Sequence, residues 1–310
     1  MNIIFFGTPI FARIILEKLY EKENIIAVFT QPDKPKGRGK KIEFSPVKKF
    51  ALEKNIKLFQ PETLKDKEIE DIISELKPDI FVVASYGKII PENLLNIPPY
   101  GGINVHASLL PKYRGASPIE RALWNCEEET GVCIMQMEKG LDTGPIWSER
   151  RIKIDPEDNR ETLTLKLANL GGELLLETLP IIKERKITPK PQDNSLATYA
   201  HKISSSEEKI DWNKPVKRIW CQIRALSPEP GAYTYFRGNL LKILRAHYSN
   251  EKIEEFPIGS IIFIDKKQGF AVKGIDGILW VLEVKPENKK KMSAVDFING
   301  YRLNIGEKLE

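Results

Sequence analysis

Short unbroken apolar runs alternate with segments of helical periodicity along the first part of the chain. Ile3-Ile4-Phe5-Phe6 predicts a strand, Phe11 to Tyr20 a one-sided helix, and Ile25-Ile-Ala-Val-Phe29 a second strand. Ser45 ahead of Pro46 reads as a helix N-cap with proline in the first turn, opening a helix to about Lys54. Asp79 to Ala84 is apolar throughout, as suits a parallel strand covered on both faces. A longer helix is expected from Arg160 to about Lys186.

This alternation predicts an α/β fold, a Rossmann-like open parallel sheet whose ligands bind beyond the carboxyl ends of the strands. The pattern loosens at Thr188-Pro-Lys-Pro-Gln-Asp-Asn-Ser195, rich in turn formers and without apolar periodicity. Beyond it, Val216 to Leu226 reads as a helix. Short strand-like runs follow at 232–235, 240–244, 259–264, 270–273 and 278–282. Such runs predict a smaller OB-like β-barrel. The expected organisation is therefore a domain over 1–188, a linker over 189–205 and a second domain over 206–310.

Composition narrows the class. With 310 residues, 41% hydrophobic and 29% charged, the chain is globular in character and long enough for two cores. No apolar run has the length of a membrane span and the first residues lack a basic stretch and cleavage site, so a cytoplasmic protein away from membranes is expected. Cys126, Cys133 and Cys221 form no Cys-x-x-Cys pair, which predicts reduced thiols and no metal site. Eighteen Lys and Arg against fourteen Asp and Glu follow from Ser206 onward, so four of the five net positive charges fall in the second domain. Lys34, Lys36, Arg38, Lys40 and Lys41 crowd a Gly- and Pro-containing segment free of acids, suited to phosphates.

Candidate chemistry centres on Asn104-Val-His106. At i and i+2 of a strand, the amide and imidazole project from one face and can act on a single atom. Asp142 follows in Gly140-Leu-Asp-Thr-Gly144, where glycines permit a close turn. An amide, an imidazole and a carboxylate are the groups that polarise a carbonyl, hold its oxyanion and move a proton. Dinucleotide binding is excluded, since Gly7-Thr8-Pro9 is not G-x-G-x-x-G and no acid closes the second strand. His201 and His247 are read as structural or surface residues, and Trp212 and Trp220 as core residues of the second domain.

These residues, with Ser108-Leu109-Leu110-Pro111 and Arg114-Gly115 between them, resemble the folate-dependent formyltransferases, in which N-x-H, S-L-L-P-x-x-R-G and G-x-D-x-G occur in this order. Cys133 stands where threonine is more familiar. The basic segment 30–41, Ser45-Pro-Val-Lys48 and the run Ile203 to Trp212 are similar to the tRNA-acting members. The resemblance implies formyl transfer from 10-formyltetrahydrofolate to the α-amino group of initiator methionyl-tRNA, by a monomer without metal or covalent intermediate. It implies Asn104, His106 and Asp142 as catalytic, Ser108, Leu109, Leu110 and Pro111 as folate contacts, and Lys34, Lys36, Arg38, Lys40 and Lys41 as tRNA contacts. Arg114-Gly115 and Tyr86-Gly87-Lys88 would shape the pocket walls. Two other readings stay open, an amino-sugar formyltransferase and a non-catalytic RNA-binding protein.

Overall fold

A computed structural model describes residues 1–36, 41–185 and 187–310. Its chain order opens β1 (Asn2–Gly7), α1 (Ile10–Tyr20), β2 (Asn24–Phe29), β3 (Lys34–Lys36), β4 (Lys41–Glu43), α2 (Pro46–Glu53), β5 (Leu58–Phe59), α3 (Lys67–Leu76), β6 (Ile80–Ala84), α4 (Glu92–Leu95) and β7 (Gly102–His106). Next come β8 (Arg114–Gly115), α5 (Pro118–Trp124), β9 (Glu129–Gln136), β10 (Ile146–Lys153), α6 (Arg160–Glu184) and β11 (Tyr199–Ala200). The remainder is α7 (Val216–Leu226), β12 (Ala232–Phe236), β13 (Asn239–Ser249), β14 (Ile261–Asp265), β15 (Gly269–Lys273), β16 (Ile278–Pro286), β17 (Met292–Ser293) and α8 (Ala294–Tyr301). As expected, Ser45 caps α2, its Oγ accepting from Lys48 N at 3.1 Å.

The chain divides into two compact units, one of Met1–Pro118, Glu129–Lys153 and Thr164–His201, the other of Ile119–Glu128, Ile154–Leu163 and Lys202–Glu310. Two short segments from within the expected first domain thus join the second unit, an exchange invisible to a linear reading. Much of the expected linker is also fastened down: β11 pairs with β8, and Lys190 bridges Ile146.

In the first unit a seven-stranded sheet runs β10-β9-β7-β6-β1-β2-β5. The order leaves β1 in one direction toward β5 and in the other toward β7, so the chain reverses direction at β1 as in other open α/β sheets. The core strands are apolar on both faces: Ile3 to Phe6 and Ile80 to Ala84 are all buried. The sheet is not wholly parallel, however. β9 lies antiparallel to β7, and β10 antiparallel to β9. The connection explains the second pairing, because β9 and β10 are joined directly by the 137–145 loop with no crossover helix, and a direct return pairs strands antiparallel.

In the second unit the antiparallel order is β12-β13-β16-β15-β14, with β17 beside β16. The C-terminal residues join the two outer strands: Tyr235 and Glu310 exchange backbone bonds at 2.8 and 3.0 Å, while Leu309 N donates to Gly259 O at 2.8 Å and Ile261 N to Glu307 O at 2.7 Å. The ladder is thereby closed into a small barrel and both edges are removed. Trp212 lies in its core, with Nε1 donating to Thr234 Oγ1 at 3.1 Å. Half-buried Trp220 packs against the same core, and His247 stacks on Trp280 with ring centroids 6.1 Å apart.

The expectation of three reduced thiols holds for Cys133 alone. Cys126 and Cys221, 95 residues apart, are joined in a disulfide with Cα atoms 5.6 Å apart, within the second unit. Spacing carried no hint, since the fold brings the 119–128 segment and α7 together. Cys133 is buried on β9, and burial pushes its thiol up to about 12.

A fork-to-fork pair also braces the second unit: Arg121 Nη1 and Nη2 donate to Glu207 Oε1 and Oε2 at 2.7 and 3.1 Å. The guanidinium, and then the backbone and hydroxyl of Ser204, hold the Glu207 carboxyl down at about 2 against an ordinary 4.5. A depressed carboxyl contributes stability above its unfolded value and loses it as pH falls through the folded one. Thermal midpoints should therefore fall between pH 4.5 and about 2, and Glu207→Gln should flatten that part of the profile. Equal slopes for the two proteins would remove the pair from the acid dependence.

Candidate active site

Asn104 and His106 occupy the carboxyl-terminal part of β7, with Val105 between them turned into the core. Asn104 is half-buried and His106 is 5% exposed. The turn carrying Asp142 comes down onto the sheet: a Cβ on Gly144 would fall on the Gln136 carbonyl oxygen, and one on Gly140 on the Thr143 hydroxyl. Only glycines let this backbone approach so closely.

Asp142 is the hub. Its Oδ2 accepts from Gly115 N at 2.8 Å, its Oδ1 from Asn104 Nδ2 at 3.4 Å, and its Oδ2 lies 3.6 Å from His106 Nδ1. The imidazole is held from its other side, where Nε2 meets Tyr113 O at 2.9 Å. A carbonyl only accepts, so Nε2 carries hydrogen and Nδ1 is left facing Asp142 to hold or release a proton. Asp142 and Tyr113 both adopt left-handed backbone, with φ of 52° and 61°. That conformation costs roughly 1–2 kcal/mol in a non-glycine residue, and here it is kept where the carboxylate and the anchoring carbonyl are aimed.

Ser108-Leu109-Leu110-Pro111 continues directly from this strand. Ser108 is fully buried with Oγ donating to Lys112 O at 2.7 Å, so its hydroxyl shapes the turn. Leu110 is buried against Cys133, Met135 and Ile146, its N–H directed to Cys133 Sγ at 3.4 Å, whereas Leu109 and Pro111 are part-exposed. The wall residues have definite partners. Arg114 donates to Gln192 Oε1 at 3.1 and 2.8 Å and to Asn194 Oδ1 at 2.7 Å. Gln192 Nε2 in turn donates to the carbonyls of Asp142 and Gly144 at 2.9 and 2.7 Å, which ties Arg114 to the turn that carries Asp142. Lys88 Nζ donates to the Pro61 and Glu62 carbonyls, each at 2.7 Å. Tyr86 is buried, and burial pushes its phenol up to about 12.

Gly115 N, the Tyr113 carbonyl and Gln192 are contributors that the side-chain motifs did not announce. Two act through backbone, which no residue type reports. Gln192 falls in the turn-rich stretch read as a linker. Of the basic segment, Lys34 and Lys36 on β3 pair with Glu43 and Lys41 on β4, in an antiparallel ribbon after β2. Arg38 and Lys40 lie outside the described residues. At the base of the ribbon Asp33 is bound by Lys48 Nζ and by Gln60 Nε2, the latter at 3.2 Å, and Lys48 holds its carboxyl below the ordinary range.

A depression lined by Ser74, Lys77, Pro78, Asp79, Ile97 and Pro99 lies at the amino end of β6, away from this chemistry. Among the described residues no cluster of three or more His, Cys, Asp and Glu could hold a metal. None of the described helices is long and apolar enough to cross a membrane.

An α/β sheet with an amide, an imidazole and a carboxylate gathered at one strand end, joined to a separate antiparallel β unit, has the build of a transferase acting at a carbonyl carbon. Comparison with known proteins agrees: residues 1–179 match the formyl transferase family and residues 202–302 the formyl transferase C-terminal domain. The chain belongs to the formyl transferase family. It is 64% identical over 313 residues to the methionyl-tRNA formyltransferase of Dictyoglomus turgidum, covering 100% of this chain and 99% of the relative. Among solved structures, an N-formyltransferase from Helicobacter canadensis in complex with folinic acid and dTDP-3-aminofucose shares the fold at TM-score 0.67, with 23% identity and 91% and 99% of the two chains covered. HypX from Aquifex aeolicus in complex with tetrahydrofolic acid does so at TM-score 0.66, with 16% identity over 99% of this chain and 48% of that one.

Proposed function

We propose that this chain transfers a formyl group from 10-formyltetrahydrofolate to the α-amino group of methionine on initiator methionyl-tRNA, acting as a cytoplasmic monomer in translation initiation. The observation that carries this reading is the full-length identity of 64% to a relative of that activity, spanning both units. The catalytic geometry agrees with it.

The folate supplies an electrophilic formyl carbon and a nitrogen leaving group. Around that carbon, Asn104 Nδ2 donates to the formyl oxygen, exchanging its long 3.4 Å bond to Asp142 for a charge-assisted one as the oxygen gains charge. Asp142 Oδ1 faces the attacking amine and accepts its proton, while Gly115 N keeps Oδ2 in place. His106, fixed by the Tyr113 carbonyl, presents Nδ1 to the same space and passes the proton toward the departing nitrogen. Bond formation at the amine and cleavage at the folate nitrogen are balanced by that one proton. Part-exposed Leu109 and Pro111, next to this donor set, supply apolar surface for the folate ring, and buried Ser108 and Leu110 hold the segment's shape.

The basic segment and the positively biased stretch from Ser206 onward are assigned to the tRNA. Arg38 offers a fork for a base edge, whereas Lys34, Lys36, Lys40 and Lys41 offer point charges to phosphates. The deciding assay presents labelled 10-formyltetrahydrofolate with methionyl-tRNA or with amino-sugar nucleotides. Formylation of the tRNA is expected; label in the sugar alone would make this an amino-sugar enzyme, and label in neither a binding protein. Arg38→Ala should blunt discrimination among tRNAs, while neutralising Lys40 and Lys41 together should weaken binding uniformly and flatten its salt dependence. Wild-type behaviour in both variants would leave the segment a solvated turn.

A further inference from the structure

We infer that the Tyr199 and His201 rings form a stacking platform for the terminal adenine of the acceptor end; the assignment rests on the tRNA reading above. Tyr199 is 55% exposed, and its ring lies over that of His201 with centroids 6.3 Å apart and planes 18° from parallel. Ala200 between them is buried, and the rings at i and i+2 around it, the second just past β11, lie together on the other side.

Their backbone is held firmly beside the catalytic carboxylate. β11 pairs in parallel with β8, Tyr199 opposite Arg114 and Ala200 opposite Gly115, the residue whose N–H binds Asp142. Arg114 N donates to Thr198 O at 2.9 Å, and Ala116 and Ser117 N–H groups donate to Ala200 O at 3.0 and 3.1 Å. Tyr113 N, from the residue that anchors His106, donates to Thr198 Oγ1 at 2.9 Å. Thr198, just before the ring pair, is thus bonded to the residue that anchors His106, and Ala200 lies opposite the one that binds Asp142.

Tyr199 offers the face of an exposed ring on an ordered strand paired beside the site. The reacting amine is joined to the terminal adenosine through one aminoacyl ester and a ribose. When that amine meets Asp142, the adenine comes within reach of β11, which is paired with the residue that binds that carboxylate. Aromatic rings bind a nucleobase through its face at little entropic cost when the backbone beneath is already ordered.

The test is steady-state kinetics of the full-length enzyme with methionyl-tRNA and 10-formyltetrahydrofolate. Tyr199→Ala should raise KM for methionyl-tRNA on the order of ten-fold, the loss of one base–aromatic stack. It should leave kcat, the folate KM and the melting temperature close to wild type, and Tyr199→Phe should restore the tRNA KM. An unchanged tRNA KM in Tyr199→Ala would overturn the platform. So would a parallel loss in folate KM and melting temperature, which a merely structural ring would give, or failure of phenylalanine to rescue. If the wild-type enzyme does not formylate methionyl-tRNA at all, the parent reading fails and takes this one with it.

Discussion

Replacing His106 with alanine should lower turnover by roughly 10²–10³-fold, within the contribution of one positioned proton-transfer group. Asn104→Ala should fall in the same range. The two side chains converge on Asp142 from one strand, and Val105 between them carries the packing, so neither truncation removes core contacts of that residue. Folding should survive. The double variant should be far less damaged than the product of the singles, since both act as a unit with Asp142 in one transition state. Near-normal formylation by purified His106→Ala protein would take this strand end out of the mechanism.

Asp142→Asn should be at least as severe, with turnover reduced by about 10²–10⁴-fold, the contribution of a positioned acid or base. The amide oxygen still suits the Gly115 N–H, which donates to Oδ2 at 2.8 Å. Its NH₂ would then stand where Oδ1 now accepts from Asn104 Nδ2, setting donor against donor. The amine would also lose its proton acceptor. Folate affinity should change little, because the lost interaction belongs to the chemical step. Single-turnover formylation beside a direct folate titration decides the point: collapse of binding with the chemical step intact would make Asp142 a ligand-binding residue.

Much of this protein was determined by local sequence. Alternating apolar and amphipathic runs predicted β1, α1, β2, α2, β6, α6, α7 and β12 to β16, because each lies where a periodicity or a cap coincides with its tertiary use. The motif residues Asn104, His106 and Asp142 were legible for a related reason: their side chains meet, and side-chain type is what a sequence records. Tertiary structure alone decided the rest. It set β9 and β10 antiparallel through a direct loop, placed the 119–128 and 154–163 segments in the second unit, and joined Cys126 to Cys221 across 95 residues. It also supplied the Gly115 N–H and the Tyr113 carbonyl that aim Asp142 and His106. Each depends on contacts distant in sequence or on backbone groups that every residue shares, and no pattern of side chains along the chain encodes where a common N–H or C=O comes to point.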